Sequence, residues 1–209
     1  MSTKAVRSPY YAHSKENVAR SEWQELKHHL TATGDLAFDL GLDSGVSELA
    51  RTAGVLHDIG KYSEVFQNRL RGMTRAVDHS TAGAREVVRL FPQPPNGTYA
   101  ELLSYCIAGH HTGLPNYGSK GDVGTEGTLL ARRNKKDLED YSAYATEISP
   151  DLLQFQAPLI KPSTFRYGNR ERQYPGFSAS FLTRMVFSTL VDADWLETER
   201  YMQDKLRER

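Results

Sequence analysis

Along most of this chain apolar positions recur every three or four residues, the spacing of helices that bury one face. The first stripe runs Leu26, Leu30, Thr33, Ala37 and Leu40, and Ser21-Glu22-Trp23-Gln24 before it has capping-box spacing, which predicts a helix from Ser21. His29 falls on that stripe and His28 about 100° away, so His29 points inward and His28 outward. A second stripe, Val46, Leu49, Ala50, Ala53 and Leu56, begins near Ser44 or Gly45 and carries His57 on the same face. Asp58 follows one step round, and Gly60 offers the left-handed residue that closes a helix. A short helix with Tyr62, Val65, Phe66 and Leu70 comes next and ends near Gly72.

Asp78 then suits the N-cap of a helix through Leu90, with His79, Gly83, Val87 and Leu90 inward. Pro92, Pro94, Pro95 and Gly97 separate it from a helix over residues 99–108, with His110 and His111 at its C-terminal end. Five glycines between 112 and 128 predict a loop beside these histidines. Residues 129–148 read as mostly helical, and 158–175 as irregular. A last helix from Gly176 or Phe177 to about Lys205 is apolar nearly all round between Phe181 and Leu196, as a central helix would be. Inside that stretch lie Asp192 and Asp194, and periodicity cannot choose between them. The pattern predicts an all-α bundle in a single domain over 1–209, with about 112–175 a loop-rich insertion before the last long helix.

Composition narrows the setting. The 209 residues carry 26 basic and 26 acidic side chains, so any surface for a polyanion is local rather than global. Cys106 is the only cysteine, which excludes an internal disulfide and suits a reducing cytoplasm. No apolar run approaches the ~20 residues of a membrane span, and the first eleven residues lack the apolar core of a secretory signal. The expectation is a soluble, cytoplasmic domain without a membrane partner.

The chemistry lies in the inward polar residues. Imidazole nitrogen and carboxylate oxygen together suit divalent transition metals. Each residue also has a plainer explanation: His29 as a satisfied core histidine, Asp58 as the group orienting a buried His57, and His79 or one of His110-His111 as a helix cap. Helices do not need so many inward histidines, however. His29, His57-Asp58, His79, His110-His111 and a buried C-terminal aspartate come from five elements and exceed one tetrahedral ion. Two ions with Asp58 as the shared carboxylate is the economical arrangement. Lys61, a turn from Asp58, either steadies a phosphate or forms a surface salt bridge, and the second is the favoured expectation. Lys161, Arg166, Tyr167, Arg170, Arg172 and Tyr174 mix cations with rings, as single-stranded nucleic-acid surfaces do.

The order His … His-Asp … Asp resembles the HD superfamily of metal-dependent phosphohydrolases. Leu56-His57-Asp58-Ile59-Gly60-Lys61, Asp78-His79-Ser80-Thr81-Ala82-Gly83-Ala84, Gly109-His110-His111 and Asp192-Ala193-Asp194-Trp195 resemble, more narrowly, the HD nuclease domain of the CRISPR-associated helicase–nuclease of type I interference systems. Tyr11-Ala12-His13-Ser14 and Trp23-Gln24-Glu25-Leu26 through His29-Leu30 are similar to that family's opening, so the likeness spans about residues 10–200. The resemblance implies one ion on His29, His57, Asp58 and Asp194, and a second on His79, His110 and His111 with Asp58 shared. Its Ala-Asp-Trp context selects Asp194 over Asp192. It further implies manganese, iron, cobalt or nickel ahead of magnesium or zinc, Asp58 and Lys61 at the reaction, and single-stranded DNA as substrate. His13, Ser80, Lys161, Arg166 and Arg170 are candidate substrate contacts. No Gly-x-x-x-x-Gly-Lys-Ser/Thr loop occurs in these residues. The implied partners are therefore a helicase supplied as a separate subunit, or as the rest of a longer chain, and an RNA-guided surveillance complex. Two readings compete: an HD phosphohydrolase of small nucleotides, and an interaction module that binds metal for stability.

Overall fold

The computed structural model describes residues 9–16, 18–73, 77–123, 127–158, 163–167 and 169–203. It is an all-α fold, as the pattern predicts. Strand β1 (Tyr11–His13) pairs antiparallel with β2 (Gln24–Glu25), and eight helices follow: α1 (Leu26–Gly41), α2 (Ser47–Leu56), α3 (Glu64–Leu70), α4 (Ser80–Leu90), α5 (Asn96–Gly109), α6 (Leu129–Arg133), α7 (Tyr144–Glu147) and α8 (Pro175–Met202). A hairpin of β3 (Ser163–Tyr167) and β4 (Arg170–Tyr174) precedes α8.

The bundle is built on α1 packed along α2, both resting on α8, with α4 laid on α5 and α5 again on α8. Gly34 of α1 faces Gly54 of α2 so closely that a Cβ on Gly54 would lie 2.8 Å from the Gly34 Cα. That approach lets the backbones touch and brings His29 and His57, one turn away on either helix, to the same level. Leu26, Leu30, Leu56, Ile59, Leu103, Ile107 and Leu190 are fully buried in one continuous core.

Several expectations change. The first helix starts at Leu26, not Ser21, because β1 holds residues 24–25 extended: the Leu26 amide donates to the Tyr10 carbonyl at 2.8 Å, and Ser21 sits in a 3-10 turn. Gly60 is not left-handed but belongs to the 3-10 turn Ile59–Tyr62. Glycine is needed there for space, since a Cβ would collide with the backbone of His79. Residues 129–148 are helical only in α6 and α7: Arg133 at the end of α6 pairs with Glu101, and Tyr141 between the helices and Tyr144 at the start of α7 both donate to the buried Glu86. Residues 163–174 form a hairpin rather than irregular chain, and all five residues of β4 are exposed. Helix α8 is not buried all round, since Phe177, Phe181 and Trp195 stand out in solvent. No helix among the described residues is long and apolar enough to cross a membrane.

Candidate metal centre

Five elements converge where α2 stops. His57 keeps helical angles, while Asp58 leaves the helix at φ −116° and ψ 17° and so turns its carboxylate away from the α2 face. The 3-10 turn after it returns Lys61 onto that carboxylate, with Nζ 2.7 Å from Oδ2. Lys61 also donates to the Ala12 carbonyl at 3.3 Å and is buried, which corrects the surface salt bridge expected for it. His79 precedes the first turn of α4, and Asp78 accepts the Thr81 amide at 3.2 Å, so the expected cap bond is present. His110 and His111 follow α5, and Asp194 comes from the middle of α8. Asp192 is exposed on the opposite side.

The ligand atoms fall into two sets. His29, His57 and Asp194 form one; His79, His110 and His111 form the other with Asp58. In the first, Asp194 Oδ1 lies 3.5 Å from His29 Nε2 and 3.4 Å from His57 Nε2. Asp58 Oδ2 faces the same two nitrogens at 3.6 and 3.3 Å. In the second, Asp58 Oδ1 lies 3.3 Å from His79 Nε2 and 3.4 Å from His110 Nε2, and His79 Nε2 is 2.9 Å from His111 Nε2. Ligands bonded at about 2.0–2.2 Å to one ion stand roughly 3–3.5 Å from one another. Both sets have that spacing, and the two oxygens of Asp58 serve one set each.

Protonation supports the same conclusion. His57 Nδ1 lies 2.7 Å from the Gly54 carbonyl, His79 Nδ1 3.1 Å from that of Val77, and His110 Nδ1 2.7 Å from that of Ile107. A carbonyl only accepts, so each Nδ1 carries a proton, and each Nε2 points inward, where it would offer its lone pair once its own proton is absent or displaced. Lone pairs and carboxylates aimed at one another repel unless a cation lies among them. Asp58 Oδ1 and His110 Nε2 are buried with no hydrogen-bond partner, which an ion would supply. The residues therefore fit divalent metal.

The electrostatics divide the two sets. Burial opposes a charge on His57, yet the Asp58 and Asp194 carboxylates outweigh it and push its pKa up to about 10. Asp58 stays ionised against its own burial because Lys61, His57 and His79 surround it, and Asp194 is held down against its burial by His57 and His29. Burial and His110 push His111 down to about 4. Burial and Lys61 push His13 to about 3, so that ring is neutral near pH 7.

A cleft of about 460 Å³ opens onto the centre. His13, Lys61, His111 and Trp195 line it. Gln67 brackets the Tyr11 backbone with two hydrogen bonds and so fixes β1, which carries His13; the His13 and His29 rings meet edge to face at 5.1 Å. The other candidate substrate contacts lie elsewhere. Ser80 is buried and accepts from Arg132. Arg166 pairs with Glu171 on the hairpin, and Arg170 is exposed there. That hairpin joins the start of α8, roughly 28 Å along the helix axis from Asp194 at 1.5 Å per residue. Lys161 lies outside the described residues. One residue in contact with the ligand set lies outside the candidates the pattern offers: Glu197, whose Oε2 is 2.6 Å from His29 Nδ1. Its one trace in the sequence is the i+3 spacing from Asp194, which puts the two on one face of α8 without marking Glu197 as buried.

A helical bundle that gathers histidines and aspartates from five elements around one carboxylate defines a metal-dependent hydrolase centre. Residues 26–151 match the HD domain family, more than half of the chain, and the protein belongs to that family of metal-dependent phosphohydrolases. The match takes in every ligand candidate except Asp194, which the fold adds. No curated protein matches the chain.

Proposed function

We propose that this HD domain is a nuclease that hydrolyses phosphodiester bonds of single-stranded DNA in type I CRISPR interference. The observation that carries the two-ion part of this reading is the division of Asp58, whose Oδ2 faces His29 and His57 while its Oδ1 faces His79 and His110. One ion is assigned to His29, His57, Asp58 and Asp194, the other to His79, His110, His111 and Asp58. When bound, such a pair lowers the pKa of a water and neutralises charge on a phosphate. Lys61 holds Asp58 in place and lends positive charge at the cleft wall, where it lies beside the neutral His13. His111 is exposed at the mouth, where a backbone phosphate first meets the centre. An open cleft admits a flexible strand, whereas a duplex phosphate cannot descend to a buried carboxylate. The motif resemblance supports the DNA substrate and the partnership with a helicase and an RNA-guided complex.

The cleft volume also lies within the range of small-ligand pockets, which favours the nucleotide phosphohydrolase as the second reading. Protein loaded with manganese, iron, cobalt or nickel would be incubated with linear single-stranded DNA and, separately, with nucleoside phosphates and cyclic dinucleotides. Degradation of DNA is the expected result. Turnover of one nucleotide with DNA intact would overturn the nuclease reading, and no turnover of either would leave the metal-stabilised interaction module.

A further inference from the structure

Glu197 lies one turn beyond Asp194 on α8, and the two carboxylates hold opposite sides of the His29 ring. Asp194 Oδ1 is 3.5 Å from Nε2, and Glu197 Oε2 is 2.6 Å from Nδ1. Gln24 of β2 donates its amide to Glu197, at 2.7 Å to Oε1 and 3.0 Å to Oε2, and its own Oε1 is buried without a partner. Glu197 is only 8% exposed, and among the described residues no lysine or arginine pairs with it. A buried carboxylate held by one amide and one imidazole is costly for folding alone. Its orientation serves the ring.

We infer that Glu197 is a positioning residue of the metal centre. With Gln24 it fixes His29 in the Nδ1-protonated form, turns the Nε2 lone pair toward His57 and Asp194, and so tightens the ion held by that set without touching it. The inference rests on the metal-centre reading above. A carboxylate accepting from the outer nitrogen also makes the inner nitrogen a stronger donor, and removing such partners costs about 10–100-fold in metal affinity. In the other set, His79 and His110 have backbone carbonyls in this position, from Val77 and Ile107. Only one of the two ions should therefore respond.

The test is a calorimetric titration of chelator-treated protein with cobalt(II). In Glu197→Gln, the variant amide can donate to His29 Nδ1 and move the ring proton to Nε2, where it opposes the ion. One of the two cobalt equivalents is expected to weaken by about 10–100-fold while the other holds its affinity. Gln24→Ala should weaken the same equivalent to a lesser degree. Both cobalt affinities within about threefold of wild type in Glu197→Gln, despite a lowered melting temperature, would reduce Glu197 to a packing role and overturn the inference. If Glu197→Gln does not fold, Gln24→Ala decides: weakening of one equivalent alone upholds the role, and two affinities equal to wild type overturn it. If wild type takes up a single equivalent, the two-ion reading falls, and the effect of either variant on that one ion still decides the role of Glu197.

Discussion

His29, His57 and Asp194 lie in the core of the bundle, whereas His79 and His111 stand at its edge, and only Asp58 belongs to both settings. The inner set comes from α1, the end of α2 and α8, three helices packed on one another, and both its rings are fully buried. The outer set comes from the ends of α4 and α5, where a helix stops and the chain turns toward solvent. One centre thus combines two buried rings with a set whose His111 stands exposed at the cleft, while Asp194 and Asp58 reach the cleft wall from within. On the two-ion reading proposed above, this asymmetry would place one ion within the fold and present the other to the substrate.

The largest effect should follow loss of the group the two settings share. In Asp58→Ala each set loses an oxygen and Lys61 is left buried beside a vacant position. Breaking a buried pair costs about 3–5 kcal/mol, which in a chain of this size lowers the melting temperature by roughly 6–20 °C. Hydrolysis should become undetectable, and cobalt uptake should fall in both sets. Calorimetry and a melting curve check this; retention of one ion at full affinity would show that Asp58 does not join the sets.

A second, smaller effect separates the sets by pH. In protein stripped of metal, His57 titrates near 10 and His111 near 4, because carboxylates surround the first while burial and His110 act on the second. An ion entering the inner set must displace the His57 proton, so its affinity should rise about tenfold per pH unit between pH 6.5 and 9. The outer set should be flat over that range, since His111 is already neutral, and burial holds the His79 pKa below its ordinary value as well. The stability signs follow the same division. The raised His57 stabilises the stripped protein fully below its unfolded value of 6.5, and that contribution is lost as pH rises through about 10. The lowered His111 acts oppositely: its contribution is present above 6.5 and lost as pH falls through about 4. Cobalt titrations at several pH values check the linkage, and equal slopes for the two ions would break the comparison.

The same contrast governs what the sequence could reveal. His29 lies inside a regular helix, so the 3.6-residue stripe alone separates it, buried, from exposed His28, and His57 continues the α2 stripe one residue past the helix end. Outer-set histidines lie at helix ends, which proline, glycine and capping residues mark. Asp194 could not be told from Asp192 by pattern, because α8 exposes apolar side chains such as Phe181 and Trp195 and its two faces read alike. Glu197 was hidden for a related reason: a glutamate near a helix C-terminus reads as solvated until a buried imidazole is found beside it. The 163–174 hairpin left no alternation to read, since all of β4 is exposed. Gly60 looked like a helix stop, but its space is filled by the His79 backbone, a contact between segments that local pattern cannot contain.

The smallest expected effect tests whether the outer set can be loosened alone. Arg132 of α6 donates one guanidinium nitrogen to the Ala108 carbonyl at 2.5 Å and to Ser80 Oγ at 3.4 Å. It therefore ties the chain beside His110 to the chain beside His79, and touches nothing of the inner set. Arg132→Ala removes a partly exposed, charge-assisted contact worth about 1 kcal/mol, a shift of roughly 2–4 °C in melting temperature. The two helix ends then hold their rings less firmly against Asp58 Oδ1. One cobalt equivalent should weaken by about threefold to tenfold, and hydrolysis should fall by a similar factor. The other equivalent, held by His29, His57 and Asp194, should bind as in wild type, with its pH slope unchanged. If both ions weaken together, Asp58 transmits the disturbance across the centre and the two settings work as one rigid unit.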